Sequence, residues 1–288
     1  MGWSMTAAVD EFLAQAGPFL RAEPVRNTVV LSVTENLRVA AAAGSPPDSH
    51  APGPLFGWWP EGSGGTAVGG AFMHTPDFPV FLTSMRSPAA AELGDVLAEA
   101  GRQVPGVNAE PQAAGAFADS WRHRTGHAAT VRLRSRLYRL GALVWPDPGP
   151  PGAPRVAGER DRDLLVEWFQ AFALEAEGSA PQDSTAAVDQ RLSYGGITVW
   201  EAGGVPVSFA GITRAVAAMV RVGPVYTPPA LRRRGYAGGV TAAVSQAALD
   251  AGAAEVVLYT DLANPTSNAL YERLGYRPVE DRVILSFS

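Results

Sequence analysis

The clearest pattern of apolar and polar positions lies in the last third of the chain. Residues 219–226 form an apolar, strand-like run, and an alanine-rich stretch beginning at Tyr236 repeats apolar residues at helical spacing. Gly252 is a typical helix end, and 255–260 is a second run rich in β-branched and aromatic residues. The Asn-Pro pair at 264–265 predicts the start of another helix. This part of the chain is therefore predicted to run strand, loop, helix, strand, helix.

The residues upstream of this block continue the same mixed pattern. A helical stripe covers 164–172, and alternating runs at 197–201 and 205–212 flank Gly203-Gly204, a dipeptide typical of a tight hairpin turn. Before them, Trp145 to Pro154 reads W-P-D-P-G-P-P-G-A-P and contains seven prolines or glycines. Such a segment is too stiff for a helix or a central strand. We therefore predict domains at 1–145 and 155–288, with a proline-rich linker at 146–154.

The first half of the chain predicts a similar order of helices and strands. Helices are predicted at 10–20, 89–100 and 111–124; strands at 29–33, 56–59, 67–74 and 80–85; and a strand or a hairpin at 130–144. The fold class expected from these patterns is α/β (α+β), in two halves of similar architecture.

Composition agrees with two globular domains and narrows the function. The chain has 288 residues, 47% of them hydrophobic, enough for two domains of about 140 residues each. Its net charge of −5 is spread over both halves, so a protein dedicated to nucleic acid is not expected. The absence of cysteine suits a cytoplasmic protein. The N-terminus does not resemble a secretory signal, and no apolar run approaches the roughly 20 residues of a membrane helix, so neither a secreted nor a membrane protein is expected.

The loop between the strand at 219–226 and the next helix carries the main chemical signal. It reads T-P-P-A-L-R-R-R-G-Y-A from Thr227 to Ala237. Arginine side chains and the free amides of a helix N-terminus both bind phosphate oxygens, and Gly235 allows a close approach of the backbone. The loop lacks the lysine and hydroxyl of a P-loop and the three glycines of a dinucleotide fold. A phosphorylated ligand of another kind is predicted.

Two motifs resemble those of the GNAT superfamily of N-acetyltransferases. Arg232-x-x-Gly235-x-Ala237 is similar to the family's acyl-CoA pyrophosphate loop, Q/R-x-x-G-x-G/A. Asn264, Tyr271 and Leu274-Gly275-Tyr276 resemble the motif that closes the family's domain. The resemblance covers roughly residues 156–288. It implies two tandem GNAT-like domains, each a mixed, mostly antiparallel twisted sheet flanked by helices.

The resemblance implies a cofactor site for acetyl-CoA, used as a co-substrate. The positions that match the binding regions of the family are Val225, Tyr226, Thr227, Arg232, Arg233, Arg234, Gly235, Tyr236, Ala237 and Asn264. Among these, the amide near Val225 would stabilise the oxyanion and Asn264 would contact the pantetheine arm. Tyr271 would be the general acid that protonates the leaving thiolate.

The general base is the part of this resemblance that the chain does not match. Many members of the family carry a glutamate on the fourth strand, whereas the run at 219–226 contains no carboxylate. Asp261 is the first replacement we consider, with Glu175, Glu201 or a water relay as alternatives. Correct positioning of the reactants can supply much of the rate even where the base is weak.

The first half lacks the cofactor motif. Between Met85 and Ala89 the sequence is R-S-P, without the glycine-containing loop, so this half is expected to be degenerate. It would complete the acceptor cleft, dock against the C-terminal domain or form a homodimer. His123 and His127 have the i, i+4 spacing of a zinc pair, but Gly126 interrupts their helix and we expect no metal.

The function expected from the resemblance is acetyl transfer from acetyl-CoA to the primary amine of a small molecule or peptide, in a ternary complex. Two alternatives remain open. The missing carboxylate is also compatible with an inactive acyl-CoA-binding sensor or assembly protein. O-acetylation, or a longer acyl donor, would use the same scaffold.

Overall fold

The computed structural model describes residues 2–42, 53–62, 67–177 and 183–288. The first ten elements are β1 (Ser4–Thr6), α1 (Val9–Ala22), α2 (Thr28–Ala42), β2 (Leu55–Pro60), β3 (Val68–His74), β4 (Val80–Leu82), α3 (Ser87–Glu99), β5 (Gly106–Ala109), α4 (Pro111–Thr125) and β6 (Ala129–Leu140). The next ten are β7 (Ala153–Val156), α5 (Arg162–Glu177), α6 (Thr185–Leu192), β8 (Ile197–Ala202), β9 (Val205–Ile212), β10 (Met219–Tyr226), α7 (Tyr236–Asp250), β11 (Glu255–Asp261), α8 (Pro265–Arg273) and β12 (Tyr276–Phe287).

The two sets of ten elements have the same order. Each runs strand, two helices, three strands, helix, strand, helix, strand. In each, the helix after the third consecutive strand connects two parallel strands, β4 to β5 in the first set and β10 to β11 in the second. Most other strand pairs are antiparallel. The predicted fold class, α/β (α+β) with a mixed and mostly antiparallel sheet flanked by helices, is confirmed.

Contacts between residues group the chain into two compact units. The first comprises Met1–Leu137, Asp261–Ala263 and Val279–Ser288, and the second comprises Tyr138–Thr260 and Asn264–Pro278. The end of β12 thus belongs to the first unit, where Val283 is paired with Ala109 of β5. The prediction of sequence domains at 1–145 and 155–288 is a different division of the chain, and it stays a proposal.

The first unit orders its strands β1-β2-β3-β4-β5-β12-β6. Its core packs α3 and α4 against the sheet through Leu93, Phe117 and Trp121, all fully or nearly fully buried. Arg282 is also buried here, and it is fully accounted for by polar partners. Its guanidinium donates to the Leu82 carbonyl at 2.6 Å and to Asn108 Oδ1 at 3.0 Å, and it pairs with Glu280 at 3.1 Å.

The second unit orders its strands β11-β10-β9-β8-β7 and buries both faces of this sheet. One face packs on α7 through residues such as Val220, Val222 and Val240. The other packs on α5 and α6 through Trp168, Phe169 and Phe209. The predicted hairpin is confirmed, since Ala202 pairs with Val205 and both intervening glycines have positive φ angles, 61° and 79°.

The predicted strand at 29–33 is wrong, because these residues lie inside α2. A run of Thr, Val, Val and Leu is typical of a strand. Here one helical face, including Val30, Leu31 and Thr34, is buried, and the Thr34 hydroxyl donates to the Val30 carbonyl at 2.8 Å. Burial in tertiary packing outweighs the small intrinsic preference of β-branched residues for strands.

Candidate functional site

The start of α7 presents free backbone amides. The first bond within the helix is donated by Gly239 to the Gly235 carbonyl, at 3.0 Å, and no side chain caps this end. The amides of Tyr236, Ala237 and Gly238 therefore have no acceptor in the ladder of the helix, as at any helix N-terminus. Such amides, together with the helix dipole, favour an anion at this position.

The loop before α7 is shaped by positive backbone angles. Arg233 has φ of 60°, and Gly235 immediately before the helix has φ of 83°. The left-handed region is uncommon for residues with a side chain and easy for glycine. The chain therefore turns sharply between β10 and α7, where the motif places a pyrophosphate.

The three loop arginines are exposed, but two of them are oriented by hydrogen bonds. Arg232 Nε donates to the Thr227 carbonyl at 2.9 Å, and its Nη2 lies 2.5 Å from a carboxylate oxygen of Glu175. Arg234 Nη2 donates to the Ala230 carbonyl at 3.3 Å. The side chains of Arg232 and Glu175 are 42% and 43% exposed, so an incoming phosphate could compete for Arg232.

The proline-rich segment contributes to this loop, which sequence reasoning missed. A Cβ atom added at Gly235 would lie 3.3 Å from Pro150, and one added at Gly239 only 2.8 Å from the same proline. Trp200 donates from its ring nitrogen to the Pro151 carbonyl at 2.9 Å, which holds the segment in place. Glycine is thus needed twice because Pro150 packs on the first turn of α7. No local signal indicated this long-range contact.

β10 and β11 diverge toward the loop. Their parallel register runs from Met219↔Glu255 to Val222↔Leu258, and no further pair of these two described strands follows. On its other side β10 has an irregularity between Val222 and Val225, after which Val225 pairs with Ala210. A gap between two parallel strands beside a bulge is a place where a ligand can meet backbone groups. This end of β10 contains Val225 and Tyr226 and is followed by Thr227. These are residues that the resemblance assigns to the cofactor site.

Tyr226 and Thr227 are held at the end of β10 by polar contacts. The Tyr226 hydroxyl lies 3.5 Å from Glu175, and its ring lies 5.8 Å from the guanidinium carbon of Arg232. The hydroxyls of Thr227 and Ser208 lie 2.8 Å apart. Of the three predicted catalytic residues, Glu175 is therefore the one placed next to the loop.

Tyr271 lies on α8 in the same hydrophobic core as α7. Its side chain is 9% exposed, and its ring meets the Tyr276 ring edge-on at 6.0 Å between centroids. Burial raises the pKa of Tyr271 to about 12, because ionising a phenol in an apolar environment is costly. The phenol is therefore protonated at neutral pH, as a general acid must be.

Of the remaining predicted residues, Asp261 and Asn264 occupy the two ends of the β11–α8 turn, and Glu201 lies on β8. The Asn264 side-chain oxygen accepts from the Ser267 amide at 3.0 Å, which confirms that it caps α8. Asp261 ends β11 and belongs to the first unit, where it accepts from the Ala263 amide at 2.8 Å. Glu201 is paired with Arg155 at 2.6 Å, which accounts for its charge.

The matching turn of the first unit is built differently. β4 leads to α3, which has Arg86 in an extended conformation before it and a proline in its first turn. Pro88 has no amide hydrogen, so this helix offers one donor fewer than α7. An open cavity of about 320 Å³ lies beside this turn, lined by residues that include Trp59, Glu61 and Arg86. The geometry agrees with a first half that lacks the usual cofactor loop.

Residues 162–276 match the model of the acetyltransferase (GNAT) family. The matched segment is therefore similar to GNAT domains, and it contains the loop, the diverging strands and Tyr271 described above.

Similar solved structures extend over almost the whole chain. A Drosophila protein is 16% identical, with 97% of this chain and 95% of that protein covered and a TM-score of 0.68. An acetyltransferase of the GNAT family from Colwellia psychrerythraea is 14% identical over 100% and 99% of the two chains, with a TM-score of 0.56. A GCN5-related N-acetyltransferase from Sphaerobacter thermophilus also has a TM-score of 0.56, at 14% identity over 98% and 94%. At these identities the likeness is one of fold.

No curated protein matches the chain. None of the helices in the described ranges has the length and apolar character needed to span a membrane. Within the same ranges, no three His, Cys, Asp or Glu side chains come together as metal ligands.

Proposed function

We propose that the second unit is an acetyl-CoA-dependent N-acetyltransferase that acts on the primary amine of a small molecule or peptide. The observation that carries the proposal is the uncapped first turn of α7, which follows a left-handed glycine at the end of a diverging strand. A helix start of this kind can bind a phosphate group, and it lies beside a gap between two parallel strands. The similarity to GNAT domains makes an acyl-CoA the expected occupant.

The chain's own groups fit such a ligand. The amides of residues 233–237 would hold the pyrophosphate, with Arg233 and Arg234 contributing positive charge from the exposed rim. Residues 223–226 would hydrogen-bond the pantetheine arm in the gap next to β11, and Asn264 would contact it from the start of α8. The amide of Val225 would donate to the oxygen that becomes negative as the amine attacks.

Two proton transfers complete the reaction. The amine nitrogen bonds to the carbonyl carbon while the carbon–sulfur bond breaks. A base takes the proton from the amine, and Tyr271 gives its proton to the leaving thiolate. The phenol then regains a proton from solvent. Its buried position keeps it in the acidic form before each turnover.

Asp261 is the base we propose, with Glu175 as the second choice. Glu175 is bound to Arg232 and lies close to Tyr226, so it is well placed to order the loop. Asp261 ends the strand that borders the gap.

The alternative proposal is an inactive acyl-CoA-binding sensor or assembly protein on the same fold. The specific observation in its favour is that β10 carries no carboxylate. Both proposals require acyl-CoA binding, but only the transferase releases free thiol when an acceptor is added. O-acetylation or use of a longer acyl chain would be separated in turn by a series of acceptors and of acyl-CoA donors.

The first experiment is thermal unfolding with acetyl-CoA, CoA or ATP. A ligand at about 100 times its dissociation constant stabilises the native state by about 2.7 kcal/mol, which corresponds to several degrees. We expect a shift with acetyl-CoA and CoA and none with ATP at the same concentration. Release of free thiol with a panel of amines then tests the transfer itself.

The outcomes separate the proposals. Thiol release that depends on an amine supports the transferase and contradicts the sensor. A shift with acetyl-CoA but no release with any amine or alcohol supports the sensor. No shift with either CoA compound would contradict both, and it would leave the α7 loop without a ligand.

If the second unit carries out the reaction, the first half of the chain has a structural role. We propose that residues 1–145 complete the acceptor cleft, dock against the domain at 155–288, or form a homodimer, without binding CoA. A light-scattering measurement of mass tests the homodimer. The proposed linker at 146–154 has a further role in the second unit, since Pro150 packs on α7.

A further inference from the structure

The second unit contains three arginines that its proposed chemistry does not use. Arg191 lies in the last turn of α6, Arg214 follows β9, and Arg221 lies within β10. The guanidinium carbon of Arg191 lies 5.4 Å from the centre of the Phe169 ring. That of Arg214 lies 4.2 Å from the centre of the Tyr194 ring. These contacts place the group beside α5 and α6.

The three arginines are close enough to Tyr194 for their charges to act on its hydroxyl. Burial raises the pKa of Tyr194, and the charges of Arg191, Arg214 and Arg221 all lower it. The Tyr194 hydroxyl donates to the Ile212 carbonyl at 2.8 Å, so the ring is held in position. All three arginines therefore lie near Tyr194, and we define Arg191, Arg214 and Arg221 as the arginine cluster.

The arginine cluster has buried donors without acceptors. Nε of Arg191, Nε of Arg214 and Nη1 of Arg221 are each buried, with no hydrogen-bond partner among the described residues. The hydrogen bonds that Arg191 and Arg214 do make go to neutral groups, the Ala187 carbonyl at 3.0 Å and the Ser193 hydroxyl at 3.2 Å. No described carboxylate forms an ion pair with any of the three.

This situation is unlike that of the other enclosed arginines in the protein. Arg155 is held by Asp161 at 2.7 Å and by Glu201 at 2.6 Å, and Arg282 is held by Glu280. A positive charge removed from water is costly unless a negative charge or several acceptors replace the water. The pKa of Arg221 is lowered to about 10, mainly by burial and in part by the charge of Arg191, while Tyr259 acts in the opposite direction.

The aromatic rings do not remove this need. Phe169 and Tyr194 lie against the flat faces of two guanidinium groups, where a ring stabilises a cation. The N–H bonds lie in the guanidinium plane and point past its edge, where an oxygen acceptor would bind. Each of the three residues is half-buried as a whole, whereas the three donor atoms named above are themselves buried.

We infer that Arg191, Arg214 and Arg221 bind an oxyanion, a carboxylate or a phosphate group carried by a small molecule. Both groups offer several oxygens in a plane or a tetrahedron that guanidinium groups match with paired hydrogen bonds. Three cations around one site favour a group with two or more acceptor oxygens over a halide ion.

The position of the cluster suggests which molecule carries the anion. Arg221 precedes Val225 by four residues on β10, a separation of at most about 13 Å along a strand. If the second unit acetylates amines, the acceptor would bind its anionic group at the cluster and direct its amine toward the gap at Val225. This step rests on the proposed function, whereas the anion site does not.

The first test measures anion binding without any acyl-CoA. Phosphate and succinate are titrated by calorimetry into the wild type and into Arg221→Met, at constant ionic strength set with chloride. Arg160→Gln is the matched control, because its side chain is 69% exposed and it lies outside the cluster. Gly235→Val is included so that phosphate bound at the α7 loop is recognised.

We expect the wild type, Arg160→Gln and Gly235→Val to bind at least one of the two anions, and Arg221→Met to bind it at least about 10-fold more weakly. A tenfold loss corresponds to one charge-assisted hydrogen bond. Without anion, Arg221→Met should melt at the same temperature as the wild type or higher, because an unpaired buried charge is removed. An unfolded or strongly destabilised Arg221→Met would indicate a structural arginine, and Arg214→Met would then be titrated in its place. No binding to the wild type, or equal binding to the wild type and the folded arginine variant, would overturn the anion site.

The second test concerns the acceptor and uses pairs of amines that differ by one anionic group. Tyramine is compared with tyrosine, and ethanolamine with phosphoethanolamine, in the thiol-release assay. We expect kcat/KM to favour one anionic member about 10-fold or more and Arg221→Met to abolish the preference. Preference for the amines that lack an anionic group would overturn the acceptor step. Anion binding with no turnover of any amine would count against the proposed transferase and leave the anion site supported.

Discussion

The proposed pyrophosphate site can be tested with a pair of glycine variants on one helix. Gly235 precedes α7 with φ of 83°, and Gly252 follows it with φ of 89°. A Cβ atom at Gly235 would lie 3.3 Å from Pro150, whereas one at Gly252 would meet nothing within 4 Å. Alanine at either position must adopt the same disfavoured conformation, but only Gly235→Ala presses on the loop.

The expected magnitudes follow from this difference. A non-glycine residue in the left-handed region costs about 1–2 kcal/mol, so both variants should lose that much stability, and each kilocalorie lowers Tm by about 2–4 °C in a domain of this size. In Gly235→Ala the loop must also shift by a few tenths of an ångström away from Pro150. The shift displaces the first amides of α7 from a bound phosphate, and losing one such hydrogen bond weakens binding about 10-fold.

The assay is calorimetric titration with acetyl-CoA beside thermal unfolding of each variant. We expect similar losses of Tm in the two variants, with weaker acetyl-CoA binding in Gly235→Ala only. Unchanged affinity in Gly235→Ala would refute the assignment of the α7 N-terminus as the pyrophosphate site. Equal loss of affinity in Gly252→Ala would show that the effect comes from general destabilisation.

Three further predictions concern single side chains. Tyr271→Phe should lower kcat about 10²-fold or more with little change in acetyl-CoA affinity, since it removes the proposed general acid; equal turnover would reduce Tyr271 to a packing role. Glu175→Gln should strengthen acetyl-CoA binding a few-fold by releasing Arg232, measured by calorimetry, and a loss of turnover with tight binding would instead identify Glu175 as the base. His74 is buried with neither ring nitrogen hydrogen-bonded, and burial, aided by the charge of Arg102, lowers its pKa from 6.5 to about 4. The unfolded chain therefore binds this proton first, and stability from His74 is lost as the pH falls from 6.5 to 4, by up to about 3 kcal/mol. His74→Leu should remove that part of the acid sensitivity in urea unfolding at pH 7 and pH 4.5, and an unchanged dependence would contradict the pKa shift.

The local elements of the second unit follow from the sequence with little help. The hairpin at Gly203-Gly204, the left-handed Gly235 and the Asn264 cap each depend on the conformational preferences of a few adjacent residues. Such preferences act within one turn and can be read from a single chain. The loop before α7, which we propose binds a phosphate group, is therefore the part of the candidate site that the sequence determines most directly. The strand wrongly predicted at 29–33 shows the limit of such local preferences, because these residues form a helix that buries one face in the tertiary structure.

What only the tertiary structure decided is which distant segments meet. β12 pairs with β5 in the first unit, Pro150 packs on α7, and Arg191, Arg214 and Arg221 converge around Tyr194. Many arrangements satisfy the same local pattern, and the choice among them depends on burial and close packing between residues far apart in the chain. The sequence shows that an arginine lies in an apolar strand. Whether a carboxylate lies beside that arginine is decided only by the tertiary structure, which fixes all of its neighbours.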